Sequence, residues 1–197
     1  MIVGRPVAKV SSSGEGCSFK NEAYESIIGD TTFNIYDTAA LDEGDQGRVP
    51  HWEAIRGLYT LIRQLSGVSL LIYCMRGRVR ENATFNWILF NKIICEEKVP
   101  IVAVVTGLET YDDPDHWWTT DNQSAFKKNG MRPKEVACVV SFPGRQNEVA
   151  DIYAKSQGKV RSLITKHYLR EPWSKEKDIW FANIYNSVFT TMLFPYP

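Results

Sequence analysis

The residues best suited to ligand chemistry in this sequence are polar side chains that follow apolar, strand-like runs. Asp37 comes directly after one such run, Glu109 lies just beyond a second, and Ser141 ends a third. Carboxylates and hydroxyls hold hard divalent cations and accept hydrogen bonds. In doubly wound α/β sheets, ligands bind beyond the carboxyl ends of the strands. We therefore expect these side chains to form one ligand-binding edge.

The elements that must position these residues follow from the hydrophobic pattern. Two β-prone runs flank the turn-forming pair Gly29-Asp30 and predict an antiparallel hairpin over 23–28 and 32–36. Apolar runs of strand length are then predicted as buried strands over 68–74, 99–105 and 136–141. Helical spacing predicts helices over 52–65, 85–95, 116–128 and 148–168. This alternation indicates an α/β fold with a doubly wound, mostly parallel sheet and one antiparallel hairpin strand.

Composition favours a soluble globular protein with one main domain. Hydrophobic residues make up 44% of the 197 residues and charged residues 23%, close to globular averages. Lys plus Arg and Asp plus Glu are equal at 23 each, and no basic stripe stands out, so nucleic acid is not expected as a partner. We expect an α/β domain over 1–170 and an apolar helical extension over 171–197.

The extension carries one apolar helical stripe that begins at Ile179 and ends at Phe194. It is shorter than the roughly 20 residues that a membrane span requires, and it contains Asn183 and Asn186, so no transmembrane span is expected. Two interpretations stay open. The helix packs against the domain, or it binds a protein partner or a membrane surface.

The cysteines favour a cytoplasmic location. They lie far apart without C-x-x-C spacing, at Cys17, Cys74, Cys95 and Cys138. Three of them fall in apolar runs, where a free thiol behaves as a small hydrophobe. The first ten residues contain Arg5 and Lys9 and no continuous apolar stretch, so no signal peptide is predicted.

Several stretches together resemble the second to fifth sequence motifs of a GTPase domain. They are SSSGEGCSF, IYDTAALDEGDQGRVP, LYTLIRQLSGVSLLIYCMRGR, KVPIVAVVTGLE and DHWW. The chain resembles fungal G-domain-containing proteins, a group similar to the septin and chloroplast-translocon GTPases, and the resemblance covers about residues 2–164. It implies a P-loop NTPase-like fold and a guanine-nucleotide (GTP)-binding function, with GTP or GDP and Mg²⁺ as ligands.

The resemblance assigns one set of residues to the metal and the phosphates. Asp37 matches the aspartate that holds Mg²⁺ through a water, and Ser18 matches the first-switch threonine whose hydroxyl binds the same ion. Thr38 and Ala40 belong to the same nucleotide-binding segment. The family usually has glycine where this chain has Ala40, and a methyl group there hinders approach of the backbone N–H to the γ-phosphate.

A second set is assigned to the base. Thr106, Gly107 and Glu109 occupy the place of the Asn-Lys-x-Asp motif, with the Glu109 carboxylate accepting two hydrogen bonds from the guanine edge. Ser141 lies where a backbone loop would contact the guanine carbonyl oxygen. The Trp117-Trp118 pair is interpreted as fixing a helix to the domain.

The phosphate-binding motif G-x-x-x-x-G-K-[ST] is absent from this sequence. Residues 1–4 resemble the end of the helix that follows this loop in relatives, so we expect that the first strand and the P-loop are cut off. Losing three charge-assisted phosphate contacts would cost about 4.5 to 9 kcal/mol. Tight triphosphate binding and hydrolysis by this chain are therefore not expected.

Two functions remain open at this point. The chain is a shortened form of a GTP-binding protein, or it is a pseudo-GTPase that serves as a protein-interaction module without binding nucleotide. A hydrolase that uses Cys74 or Cys95 has no paired histidine or acid in support, and the three histidines are interpreted as structural or surface residues.

Overall fold

A computed structural model of the chain describes residues 2, 22–37, 60–61, 64–77, 84, 86–142, 150–176 and 182. The described residues belong to two compact units. The larger unit contains those between Val68 and Trp173 together with Ile2, and the smaller contains the others. The described residues are of mixed α/β type and form a two-stranded antiparallel sheet and a three-stranded parallel sheet.

The predicted hairpin is confirmed in the smaller unit. Strands β1 (Glu22–Ile28) and β2 (Thr31–Asp37) pair antiparallel, with Ile28 opposite Thr31. Gly29 turns the chain at a φ of 61°, a conformation that glycine adopts without steric cost. Asp37 ends β2 and is exposed.

The parallel sheet of the larger unit contains strands in the order β3 (Leu71–Arg76), β4 (Ile101–Thr106) and β5 (Val136–Cys138). The central strand β4 has the sequence IVAVVT, and its first five residues are buried, as predicted for a strand covered on both faces. Arg76 lies opposite Thr106 in the register. The carboxyl ends of β3 and β4 therefore meet at one edge.

Strand β3 differs from its prediction in position and burial. It begins three residues later than expected, because Val68 forms an antiparallel bridge with Trp173 instead. Both backbone hydrogen bonds of that bridge are short, 2.8 Å from Val68 N to Trp173 O and 3.0 Å from Trp173 N to Val68 O. The prediction of burial on both faces was wrong for this strand, since Cys74 is exposed.

The helices are confirmed wherever the structure describes them, with local distortions. Ile88–Ile94 is π-helical, and Cys95 N donates to Phe90 O at 3.0 Å in the wider repeat. Trp118–Asn122 is also wound as a π-helix, with a kink at Thr120, and leads into α1 (Gln123–Lys128). The long helix α2 (Ala150–His167) buries Val160, Leu163 and Ile164.

Two predicted helices fall mostly outside the described residues. Of the segment 52–65, only four residues are described, and three of them are helical. Of the segment 179–194, only Ala182 is described, so its packing or binding role stays a prediction. Within the described part of the chain, no helix is both long and apolar enough to span a bilayer.

The core of the larger unit lies between the sheet and the helical segments that follow β3 and β4. Its fully buried side chains include Trp87, Val105, Leu108, Phe126 and Met131. At the margin of the core, the rings of Trp118 and Phe126 meet edge to face, with 5.0 Å between their centroids. Strand β4 contributes Ile101, Ala103 and Val105 to this core, and its last residue, Thr106, begins the predicted base-binding segment.

The turn before β4 contains two non-glycine residues in the left-handed region, Glu96 at a φ of 50° and Glu97 at 58°. This conformation costs an L-residue about 1–2 kcal/mol, and glycine avoids that cost. We expect Glu97→Gly to raise the free energy of unfolding by about 0.5–1 kcal/mol, because the more flexible unfolded chain offsets part of the gain. Urea denaturation checks this, with Glu171→Gly as the control at negative φ. A stability equal to or below that of the parent chain would contradict the expectation.

Candidate functional site

The candidate site lies at the carboxyl edge of the parallel sheet. Three chain segments meet there: Arg76-Gly77 at the end of β3, the stretch from Gly107 to Glu109 after β4, and Ser141 a few residues after β5. The parallel strand order brings these segments to the same edge, as predicted for the segments after β4 and β5.

Glu109 and Ser141 are in direct contact, although they are 32 residues apart. Glu109 Oε1 accepts a hydrogen bond of 3.0 Å from Ser141 Oγ and a longer one of 3.3 Å from Ser141 N. Both bonds go to the same carboxylate oxygen, and both residues reach the surface. The two residues assigned to the guanine base from separate motifs thus lie together in one cluster.

The electrostatics of the cluster keep Glu109 ionised. Partial burial raises the pKa of Glu109, but hydrogen bonds from its own backbone N–H and from Ser141, together with the charge of Arg76, outweigh it. The net result is a pKa below the ordinary value for glutamate. At neutral pH the side chain is a carboxylate, which only accepts hydrogen bonds.

Gly107 is required at its position for two reasons. Its φ of 76° lies in the left-handed region. A Cβ atom there would also lie 2.6 Å from Cγ of Arg76, because the Arg76 side chain crosses the glycine. Arg76 was not predicted as a site residue, although it ends an apolar run just as Glu109 and Ser141 follow theirs.

Backbone and side-chain bonds fix the segments next to the cluster. Thr106 Oγ1 donates to Met75 O at 3.1 Å, so this hydroxyl joins the ends of β3 and β4. Gly77 N donates to Thr106 O at 3.0 Å, and Trp117 Nε1 donates to Gly77 O at 3.2 Å. The prediction that the tryptophan pair attaches a helix to the domain is confirmed, since Trp117 is buried at 4% exposure.

A buried serine of α2 supports the loop that carries Ser141. Ser156 is 2% exposed, and its Oγ accepts a 3.0 Å hydrogen bond from Val140 N. This bond gives the Val140 N–H an acceptor beyond the end of β5. It also places the next residue, Ser141, at the sheet edge. No local pattern predicts this bond, because serine in a helix is usually exposed.

The residues assigned to Mg²⁺ and phosphate are not among the described residues of the larger unit. Ser18, Thr38 and Ala40 lie outside the described residues. Asp37 belongs to the smaller unit, and its role stays a prediction. Among the residues that the structure describes, no group of three or more His, Cys, Asp or Glu side chains is arranged to hold a metal ion.

Other titratable groups have structural roles. Glu135 Oε2 accepts from His167 Nε2 at 2.7 Å and from Lys166 Nζ at 2.5 Å, and these bonds hold the pKa of Glu135 below its ordinary value. They attach the end of α2 to the residue before β5. Burial raises the pKa of Cys95 to about 12, so its thiol is protonated at neutral pH and is a poor nucleophile.

The fold and the site together define an α/β protein with a polar cluster at the carboxyl edge of its parallel sheet. No protein-family model matches the chain, and no curated protein matches it with significance.

Proposed function

We propose that the chain is a guanine-nucleotide-binding domain that recognises the base through Glu109 and Ser141. The observation that carries the proposal is the direct contact between these two side chains at the carboxyl edge of the sheet. A carboxylate that stays ionised at neutral pH complements the two donors on the guanine edge, the N1–H and the 2-amino group. Adenine presents an acceptor at N1, so it is disfavoured.

Base binding requires an exchange of hydrogen bonds within the cluster. Ser141 N and Oγ both donate to Glu109 Oε1, which fills the acceptor capacity of that oxygen. Guanine needs both carboxylate oxygens. Of the two bonds, the one from the backbone N–H of Ser141 is longer, at 3.3 Å. On base binding this N–H exchanges Glu109 for the guanine carbonyl oxygen as its acceptor. The Oγ bond then holds the carboxylate in place.

We also propose that the fold is a doubly wound sheet of the P-loop NTPase type. The parallel β3-β4-β5 order supports it. Asp37 is exposed at the end of β2, so its carboxylate is accessible to a hydrated Mg²⁺, which would screen the phosphate charge. Ser18 is proposed as the second ligand by resemblance. Because the chain contains no G-x-x-x-x-G-K-[ST] motif, the proposed activity is binding of the nucleotide and excludes rapid hydrolysis by this chain.

Equilibrium titration with a GDP analogue labelled on the ribose tests the proposal, because that label leaves the base edge free. Unlabelled GDP, inosine diphosphate and ADP then compete for the site. Inosine lacks the 2-amino group, so one bond to Glu109 is lost, and adenine loses both. We expect competition in the order GDP, inosine diphosphate, ADP. GDP should be about 100- to 10,000-fold stronger than ADP, since each of the two charge-assisted bonds that adenine loses contributes about 1.5–3 kcal/mol.

Equal competition by GDP and ADP would contradict base recognition by Glu109. Absence of any binding at millimolar nucleotide would instead favour the protein-interaction module without nucleotide. That function has no described contact in its favour, since its expected binding helix over 179–194 lies almost wholly outside the described residues.

A further inference from the structure

Arg76, the last residue of β3, extends across the glycine that follows β4. A Cβ atom at Gly107 would lie 2.6 Å from Arg76 Cγ, 2.9 Å from Nε and 3.3 Å from Cδ. The arginine stem therefore runs directly over Gly107, two residues before Glu109. Arg76 is exposed, and none of the ion pairs found among the described residues includes it.

The surrounding backbone holds Arg76 in this position. The register pairs Arg76 with Thr106, and Gly77 N donates to Thr106 O. The Trp117 indole fixes the carbonyl of Gly77. Because glycine has no side chain, the stem can lie against the backbone there. The guanidinium acts electrostatically on Glu109, so it belongs to the same cluster.

A guanine ring that bonds to the Glu109 carboxylate through its edge has two flat faces that remain open to stacking. The guanidinium is planar and weakly hydrated, and it stacks on aromatic faces. None of the described ion pairs would have to break for Arg76 to cover such a face. We propose that Arg76 stacks on one face of the bound guanine and positions it against Glu109, an inference that rests on the proposed guanine site. Arg76 is thus a positioning residue for the base and makes no contact with the phosphates.

Titration of Arg76→Ala and Arg76→Lys with guanosine and with GDP tests this assignment, and Arg132→Ala is the matched control at another exposed arginine. We expect Arg76→Ala to weaken both ligands by the same factor, about tenfold. Arg76→Lys keeps the charge but loses the planar group, so it should recover only part of the affinity. Nitrogen NMR of the parent chain should show a ring-current shift at Arg76 Nε on adding guanosine.

Each outcome separates this inference from the function on which it rests. If the parent chain binds neither guanosine nor GDP, both fail. If it binds them and Arg76→Ala does not weaken binding, the stacking role fails while base recognition stands. A loss confined to GDP would place Arg76 on the phosphates and overturn the inference, as would full recovery by lysine. Thermal melting of each variant shows whether the fold is intact.

Discussion

Replacing Glu109 with glutamine should weaken GDP binding by about 100- to 10,000-fold while leaving the fold intact. Two charge-assisted hydrogen bonds are affected, each of about 1.5–3 kcal/mol. The glutamine oxygen still accepts one hydrogen bond from guanine. The glutamine NH₂ group, however, faces the second guanine donor, and two donors repel each other. Titration with ribose-labelled GDP measures the loss.

The same substitution should favour xanthine, which has a carbonyl oxygen where guanine has its 2-amino group. The glutamine amide then donates to that oxygen, so Glu109→Gln should bind xanthosine diphosphate more tightly than the parent chain does. Glu171→Gln removes an equal charge at another surface position and is the control. Loss of GDP binding in both variants would show a general charge effect, and unchanged binding in Glu109→Gln would exclude this residue from the base site.

Replacing Phe126 with alanine should lower the free energy of unfolding by about 3–5 kcal/mol. Phe126 is completely buried in the core, and its ring is nearly perpendicular to that of Trp118, at an interplanar angle of 83°. Truncation leaves a cavity between α1 and the sheet, and packed surroundings collapse only partly around such a cavity. Urea denaturation followed by tryptophan fluorescence measures the change.

Phe142→Ala is the matched control for that substitution, because Phe142 is 56% exposed and loses little buried area when truncated. We expect a change of less than about 1 kcal/mol there. Similar losses in the two variants would contradict the assignment of Phe126 to the core. Since Phe142 follows Ser141 directly, the control also reports whether the loop of the candidate site tolerates a smaller side chain.

Features set by short stretches of sequence could be predicted. The hairpin follows from Gly29-Asp30 between two β-prone runs, and β4 follows from an unbroken run of small and β-branched residues. The meeting of Glu109 with Ser141 also follows from the sequence, because the carboxyl ends of parallel strands share one edge.

Features that depend on distant partners could not be predicted. The bridge from Val68 to Trp173 shortens β3, and neither residue carries a local signal for it. Arg76 lies over Gly107 only because their two strands are neighbours in register. The hydrogen bond from Val140 to Ser156 could not be predicted for the same reason. In sequence, a buried serine in a helix is indistinguishable from an exposed one.

The most direct test of the guanine site is a nitrogen-proton NMR titration of the parent chain with guanosine monophosphate. If the base binds as proposed, the backbone amide of Ser141 leaves Glu109 for the guanine carbonyl oxygen, so its resonance should show one of the largest shifts. Adenosine monophosphate should leave that resonance unchanged at the same concentration. Shifts of equal size with both nucleotides, or none at Ser141 with guanosine monophosphate, would contradict the account.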